Sequence, residues 1–295
     1  MESNLSDDAT ATGAPKPALH APAANEGGTA SAPPPSPARL GLSLVVPVKD
    51  EVESLRPLTE RIFDVFPNPK DLELILIDDG SSDGSIELMA ELVAEHPNIR
   101  AVIFEHNRGQ SAAITAGFGQ ARGDLVATLD ADLQNDPTDL PRMIERLEQE
   151  QVDAVVGYRQ KRNDNWLRRI SSRLANRIRN RISADSIRDT GCSLKIFRSE
   201  AIKSVPMFDG MHRFLPTLLR QQGYSVVEHP VRHHARFAGR SKYGVRNRAL
   251  RAFVDLLAVR WMRSRQIRLP IAKVLEPDQR DWLEPAPPGH GRDSI

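Results

Sequence analysis

The sequence predicts an α/β domain built on a mixed, mainly parallel sheet flanked by helices. Two observations carry that expectation. From Leu42 onward, short apolar runs of strand length alternate with amphipathic segments of helix length, and acidic residues recur just beyond the ends of those runs. At 295 residues, with 40% hydrophobic and 27% charged, the chain buries a sizeable core. A single cysteine, Cys192, excludes an internal disulfide framework and a cysteine-based zinc site.

Leu42–Val48 reads as a first buried strand, and residues 51–66 as a helix that stops before Pro67. Leu72–Ile77 is a second strand running into Asp78-Asp79-Gly80-Ser81, followed by a helix over Ser82–His96 with a Ser/Asp-rich start and a Pro97 stop. A third strand at Ala101–Phe104, a helix at Gln110–Gln120 and a fourth strand at Leu125–Leu129 come next. The fourth strand delivers Asp130-Ala131-Asp132 at its end, ahead of a helix starting near Pro137 and a strand at Ala154–Tyr158. In open parallel sheets, the rim beyond the carboxyl ends of the strands is where ligands bind.

The flanks differ from this domain. Residues 1–40 hold ten Ala and seven Pro with no aromatic residue and read as a disordered tail; residues 269–295, with Pro277, Pro285, Pro287 and Pro288, read as a second. Early acidic residues and the lack of an apolar stretch give no expectation of a secretory signal in these residues. No window reaches the roughly 18 apolar residues of a membrane span. The domain expected to carry function is therefore residues 41–268, and any contact with a membrane comes from the side.

Two carboxylates one residue apart at a strand exit, Asp130 and Asp132, can face one divalent cation, with the Gln134 amide oxygen in reach. Hard oxygen ligands of this kind suit Mg2+ or Mn2+ shared with a diphosphate. Alone, the element equally fits an Asp-rich turn that caps the next helix. Asp78-Asp79 at an earlier strand end, placed to hold a ribose or base edge, makes a shared rim the stronger reading.

Several ordered motifs then accumulate: Val46-Pro47-Val48-Lys49-Asp50-Glu51, Ile77-Asp78-Asp79-Gly80-Ser81-Ser82-Asp83-Gly84-Ser85, Asn107-Arg108-Gly109, Ala116-Gly117, Ala121-Arg122-Gly123-Asp124, Leu129-Asp130-Ala131-Asp132-Leu133-Gln134, and Arg236-Phe237-Ala238-Gly239-Arg240-Ser241-Lys242-Tyr243. In this order and spacing the chain resembles the family 2 glycosyltransferases of GT-A fold, within their polyprenyl-phosphate, dolichol-phosphate mannose synthase-like branch. The resemblance spans Leu42 to about Arg263. It implies that Pro47, Lys49, Glu51, Asp78, Asp79 and Gly109 line the donor pocket, and that Asp130, Asp132 and Gln134 hold the metal and donor diphosphate. It implies a nucleotide-sugar donor, GDP-mannose or UDP-glucose, and a polyprenyl-phosphate acceptor. The chain departs from the family pattern at Lys49 and Asp50.

The net charge of +1 hides a strong asymmetry. Arg159–Ile182 carries nine Lys/Arg against one Asp, and Arg232–Arg268 eleven against one; with these +8 and +10 segments set aside from the total, the remainder carries −17. Leu167, Ile170, Leu174, Ile178 and Ile182 fall on one helical face, as do Leu250, Phe253, Val254, Leu257 and Trp261. Two basic amphipathic helices, about 166–182 and 245–264, are expected, either packed on the sheet or resting on an anionic membrane surface. The resemblance favours the membrane, with the enzyme peripheral on its cytoplasmic face. By the same resemblance, Arg159, Arg168, Ser172, Arg236, Arg240 and Lys242 grip the acceptor phosphate, and Asp189 contacts sugar or acceptor. A turn role explains Asp189-Thr190-Gly191 equally well.

A phosphate monoester is already an anion near neutral pH, so no side-chain nucleophile is needed and no triad is expected. Cys192 reads as a buried small residue, and His233-His234 as charged or packing residues rather than metal ligands. With 5% aromatic residues and acidic strand ends, no nucleic-acid partner is expected for the basic segments, and a basic nucleic-acid-binding protein is the distant alternative. A family 2 enzyme acting on a sugar or protein hydroxyl is the nearer alternative, but a neutral acceptor gives no reason for so much positive charge.

Overall fold

The computed structural model describes residues 41–68, 70–159, 187–235 and 245–265. The expected helix at 166–182, both tails, and Arg168, Ser172, Arg236, Arg240 and Lys242 lie outside the described residues. Within them, strands β1 (Leu42–Val48), β2 (Leu72–Asp78), β3 (Ile99–Ile103), β4 (Leu125–Thr128), β5 (Ala154–Arg159), β6 (Lys195–Arg198) and β7 (Val226–Val231) form one sheet in the order β3-β2-β1-β4-β6-β5-β7. All neighbours pair in parallel except β6, which runs against both β4 and β5.

This one reversal determines where the loops go. The carboxyl ends of β1, β2, β3, β4, β5 and β7 open on one rim, and β6 starts there. The chain leading into β6, Asp189–Leu194, is thereby delivered to the rim beside Asp130 and Arg159. Periodicity does not announce β6 or β7. β6 is four residues with a basic residue at each end, and β7 contains Pro230, which is tolerated because β7 is an edge strand.

Successive side chains of β1 point to opposite faces, and each face is covered. Leu44, Val46 and Val48 pack with Leu55, Leu58 and Ile62 of α1 (Val52–Val65), Met89 and Leu92 of α2 (Ser85–Glu95), and Met143 and Leu147 of α4 (Leu140–Gln149). Val45 turns the other way, toward Ala113, Ile114 and Phe118 of α3 (Gln110–Gln120). The same layer takes Ala201 and Ile202 of α5 (Ser199–Lys203), Leu218 and Leu219 of α6 (Leu215–Gln221), and Leu256 and Val259 of α7 (Val245–Ser264). The fold class matches the sequence expectation.

Gly117 marks the tightest joint between a helix and the sheet, since a Cβ there would overlap the Val45 side chain of buried β1. Gly117→Ala should therefore lower stability by about 1–3 kcal/mol despite the better helix propensity of Ala. Urea unfolding of the two proteins measures the difference, and an unchanged midpoint would show that the joint relaxes freely.

Candidate active site

Three loops interlock where β1, β2 and β3 end. Asp50, in the left-handed region at φ 48°, donates its N–H to Ser81 Oγ at 2.8 Å and accepts the Ser82 N–H at 2.8 Å. Lys49 donates to the Gly80 carbonyl, with Asp50 Oδ1 3.6 Å from its ammonium. Gly80 has φ 71°, and a Cβ would stand 2.8 Å from the Asn107 nitrogen, so only glycine lets the third loop pass. Asp79, 4% exposed, accepts the backbone N–H groups of Arg108 at 2.6 Å and Gly109 at 2.9 Å, and so anchors the start of α3. Its neighbour Asp78 is fully buried, with Oδ2 taking the Ser81 N–H at 2.9 Å and Oδ1 without a partner among the described residues. Glu51 accepts the Ser54 hydroxyl at 2.8 Å, and Pro47 lines the central cavity.

At the exit of β4, Asp130 Oδ1 accepts the Gln110 side-chain amide at 2.9 Å, and its backbone N–H donates to Ser193 Oγ at 3.3 Å. The same hydroxyl accepts the Asn135 amide at 2.7 Å. Leu133, buried at φ 59°, turns the chain between Asp132 and Gln134, and the Gln134 N–H donates to Asp132 Oδ1 at 3.2 Å. A buried leucine in that conformation costs on the order of 1–2 kcal/mol, which the surrounding contacts sustain. Among the described residues no group of three or more His, Cys, Asp or Glu converges on one point. Asp130, Asp132 and Gln134 are an all-oxygen set that suits Mg2+ or Mn2+ completed by phosphate or water.

The loop after β4 is stitched to the end of β7. The His234 N–H donates to the Gln134 carbonyl at 2.8 Å, Asn135 and His233 form a β-bridge, and Arg232 N–H donates to Asp139 at 2.7 Å. His234 Nε2 lies 3.2 Å from Asp136 Oδ2. Residues 232–234 thus run along the acidic loop two residues before Arg236.

Arg159, expected at the acceptor, forms a bidentate pair with Asp189 at 2.7 and 2.9 Å. The two residues that the sequence assigned separately are one unit, and Asp189 also takes the Gly191 N–H at 3.2 Å. Cys192 is buried, and burial pushes its thiol up to about 11, so it stays protonated and is no nucleophile. Gln110 and Ser193 are missed by sequence reasoning as supports of Asp130.

On α7, Leu256 and Val259 face the core, while Phe253, Val254, Leu257 and Trp261 are 48%, 57%, 45% and 62% exposed. These four residues of the apolar stripe read from the sequence therefore face away from the sheet. Asp255 sits so close to Gly210 that a Cβ there would overlap its carboxylate. No helix among the described residues is long and apolar enough to cross a membrane.

The family model described as Glycosyl transferase family 2 matches residues 43–205, more than half of the chain and the whole acidic rim up to β6. The chain belongs to this family. It is 44% identical over 225 residues to the dodecaprenyl-phosphate galacturonate synthase of Rhizobium johnstonii, covering 75% of this chain and 66% of that protein. It is 42% identical over 207 residues to the undecaprenyl-phosphate 4-deoxy-4-formamido-L-arabinose transferase of Edwardsiella ictaluri, covering 69% and 63%. The chain thus spans just under two thirds of the length of these two curated relatives. Its fold is similar to glucosyl-3-phosphoglycerate synthase from Mycobacterium tuberculosis, solved with Mg2+ and uridine diphosphate, at TM-score 0.59 and 17% identity over 78% of this chain and 81% of that one. This family 2 member shares the α/β architecture of that structure.

Asp136 offers a test of the stitch. Burial pulls its carboxyl upward, but hydrogen bonds from the Thr138 side chain and backbone and from His234 hold it below the ordinary carboxylate value. Because the folded value is the lower one, its stabilisation is present above the unfolded value of about 4 and is lost as pH falls through the folded one. Asp136→Asn should flatten the acid limb of the stability curve, as followed by urea unfolding across pH; an unaltered limb would remove Asp136 from the account.

Proposed function

We propose that this family 2 member transfers a sugar from a nucleotide sugar to the phosphate of a polyprenyl phosphate, with inversion, at the cytoplasmic membrane surface. The observation that supports this most is the stitch of His233 and His234 to Gln134 and Asn135. It holds His233 and His234 against the acidic loop, and in the sequence the basic Arg236-x-x-x-Arg240-x-Lys242 segment begins two positions later. The relatives named for transfer to dodecaprenyl and undecaprenyl phosphate support the acceptor class.

In this reading, Pro47, Lys49, Glu51, Asp78, Asp79 and Gly109 frame the nucleotide, the interlocked loops holding their positions. Asp130, Asp132 and Gln134 would hold a Mg2+ or Mn2+ ion, which neutralises charge on the departing nucleoside diphosphate when bound. Gln110 and Ser193 keep Asp130 aimed at the rim. Arg159, with Arg168, Ser172, Arg236, Arg240 and Lys242, aligns the acceptor phosphate. Its anionic oxygen attacks the anomeric carbon, and the bond from that carbon to the diphosphate breaks. The acceptor needs no general base. The outward stripe of α7, flanked by exposed Arg260 and Arg263, would rest on an anionic lipid surface.

Asp132→Ala should reduce transfer by at least about a hundredfold and abolish metal-dependent donor binding in a folded protein. Nucleotide sugars, polyprenyl phosphate and Mn2+ or Mg2+, with the lipid product read by mass spectrometry, make the assay; transfer only to a sugar or protein hydroxyl would replace the lipid acceptor. Arg236→Ala and Lys242→Ala should raise the KM for the lipid far more than that for the donor, whereas equal changes would mark both residues as structural. Sedimentation with anionic vesicles should weaken with salt and with Leu257→Ser plus Trp261→Ser. A protein left in the supernatant at low salt would remove the membrane from the reading.

A further inference from the structure

β6 opens with a lysine that the reaction above does not use. Lys195 is 4% exposed, is paired in register with Thr128 of β4 and Val156 of β5, and lines a cavity of about 170 Å3 at the rim. An ammonium carries three donors. Lys195 makes one hydrogen bond among the described residues, to the Cys192 carbonyl.

A buried cation needs a counter-charge, because desolvation costs more than a neutral hydrogen bond returns. Asp130 and Asp189 both act on it, but each has another partner. Asp189 is held bidentately by Arg159, and Asp130 takes the Gln110 amide and faces the rim where a cation belongs in the proposed reaction. Burial accordingly holds the Lys195 ammonium below its ordinary value. His212 and Arg213 line the same cavity, and Asp130 is its one carboxylate among the described residues. The wall is therefore rich in donors and poor in anions.

We propose that this cavity receives the sugar ring of the donor, and that Lys195 selects a sugar bearing a carboxylate, a uronic acid, by donating hydrogen bonds to it. The inference rests on the donor-rim reading of the same site. The cavity is bounded by Pro47 and Asp130, so a sugar attached to a diphosphate at the rim enters it directly. A carboxylate adds a counter-charge inside the cavity and accepts the protons left by Cys192. A neutral hydroxymethyl group in its place adds no charge.

Calorimetric titration with Mn2+ and donor pairs that differ only in hydroxymethyl or carboxylate tests this. The pairs are UDP-glucose with UDP-glucuronate, UDP-galactose with UDP-galacturonate, and GDP-mannose with GDP-mannuronate. The wild-type chain should bind the uronate of at least one pair on the order of tenfold to a hundredfold more tightly. Lys195→Met should bring that ratio to one or below, with circular dichroism confirming the fold and Lys195→Gln replacing it if the Met variant does not fold. Equal or preferred binding of the neutral sugar overturns the uronate assignment and leaves the proposed transfer standing, as does a preference that survives loss of the lysine. Binding of no nucleotide sugar at all overturns the donor-rim reading, and the assignment falls with it.

Discussion

The antiparallel pairing of β6 with β4 is the constraint on which the rest of the site depends. Six strands point their carboxyl ends at one rim, and a seventh laid the same way would have carried Asp189–Leu194 to the opposite edge. Reversed, it sets Ser193 under the Asp130 backbone, with Thr128 Oγ1 donating to the Ser193 carbonyl at 2.5 Å. Arg159 and Asp189, on strand ends that meet only through this reversal, then pair. The buried Lys195 follows from the same register, since it is the first residue of β6.

Around that joint, polar side chains tie neighbouring loops together by hydrogen bonds. Asp79 fixes the start of α3, Asp50 and Ser81 fix one another, and Ser193 serves both Asp130 and Asn135. Two non-glycine residues, Asp50 and Leu133, sit in the left-handed region within these loops, each beside an expected ligand contact. Strain at such places persists only where the surroundings over-determine the conformation, and here each strained residue is flanked by bonds to a second loop. The result is a rim whose acidic groups are oriented before any ligand arrives, which is what transfer by positioning requires.

Charge is divided along the chain to match. The acidic remainder holds the rim, and the basic excess lies in the two segments that follow β5 and β7. α7 belongs to both parts: Leu256 and Val259 hold it to the core while Phe253, Val254, Leu257 and Trp261 project outward. An apolar stripe turned from the core and flanked by arginine is the arrangement that a lipid surface accommodates better than water does.

The sequence by itself determined the α/β class, the first five strands to within one or two residues, and the place of Asp130 and Asp132 at a strand exit. Each of these is a local matter: apolar runs, helix stops and turn residues act within a few positions of themselves. The tertiary structure alone decided that β6 runs backward, because four residues with basic ends carry no pattern that specifies direction. It also decided that Asp79 bonds to the start of α3, that Arg159 bonds to Asp189, and that Lys195 is buried at a cavity. Those partners lie about 30 residues apart in the first two cases and on three different strands in the last. The side of α7 that meets the core was likewise invisible in its periodicity, since apolar residues occur on both faces and only the position of the sheet chooses between them.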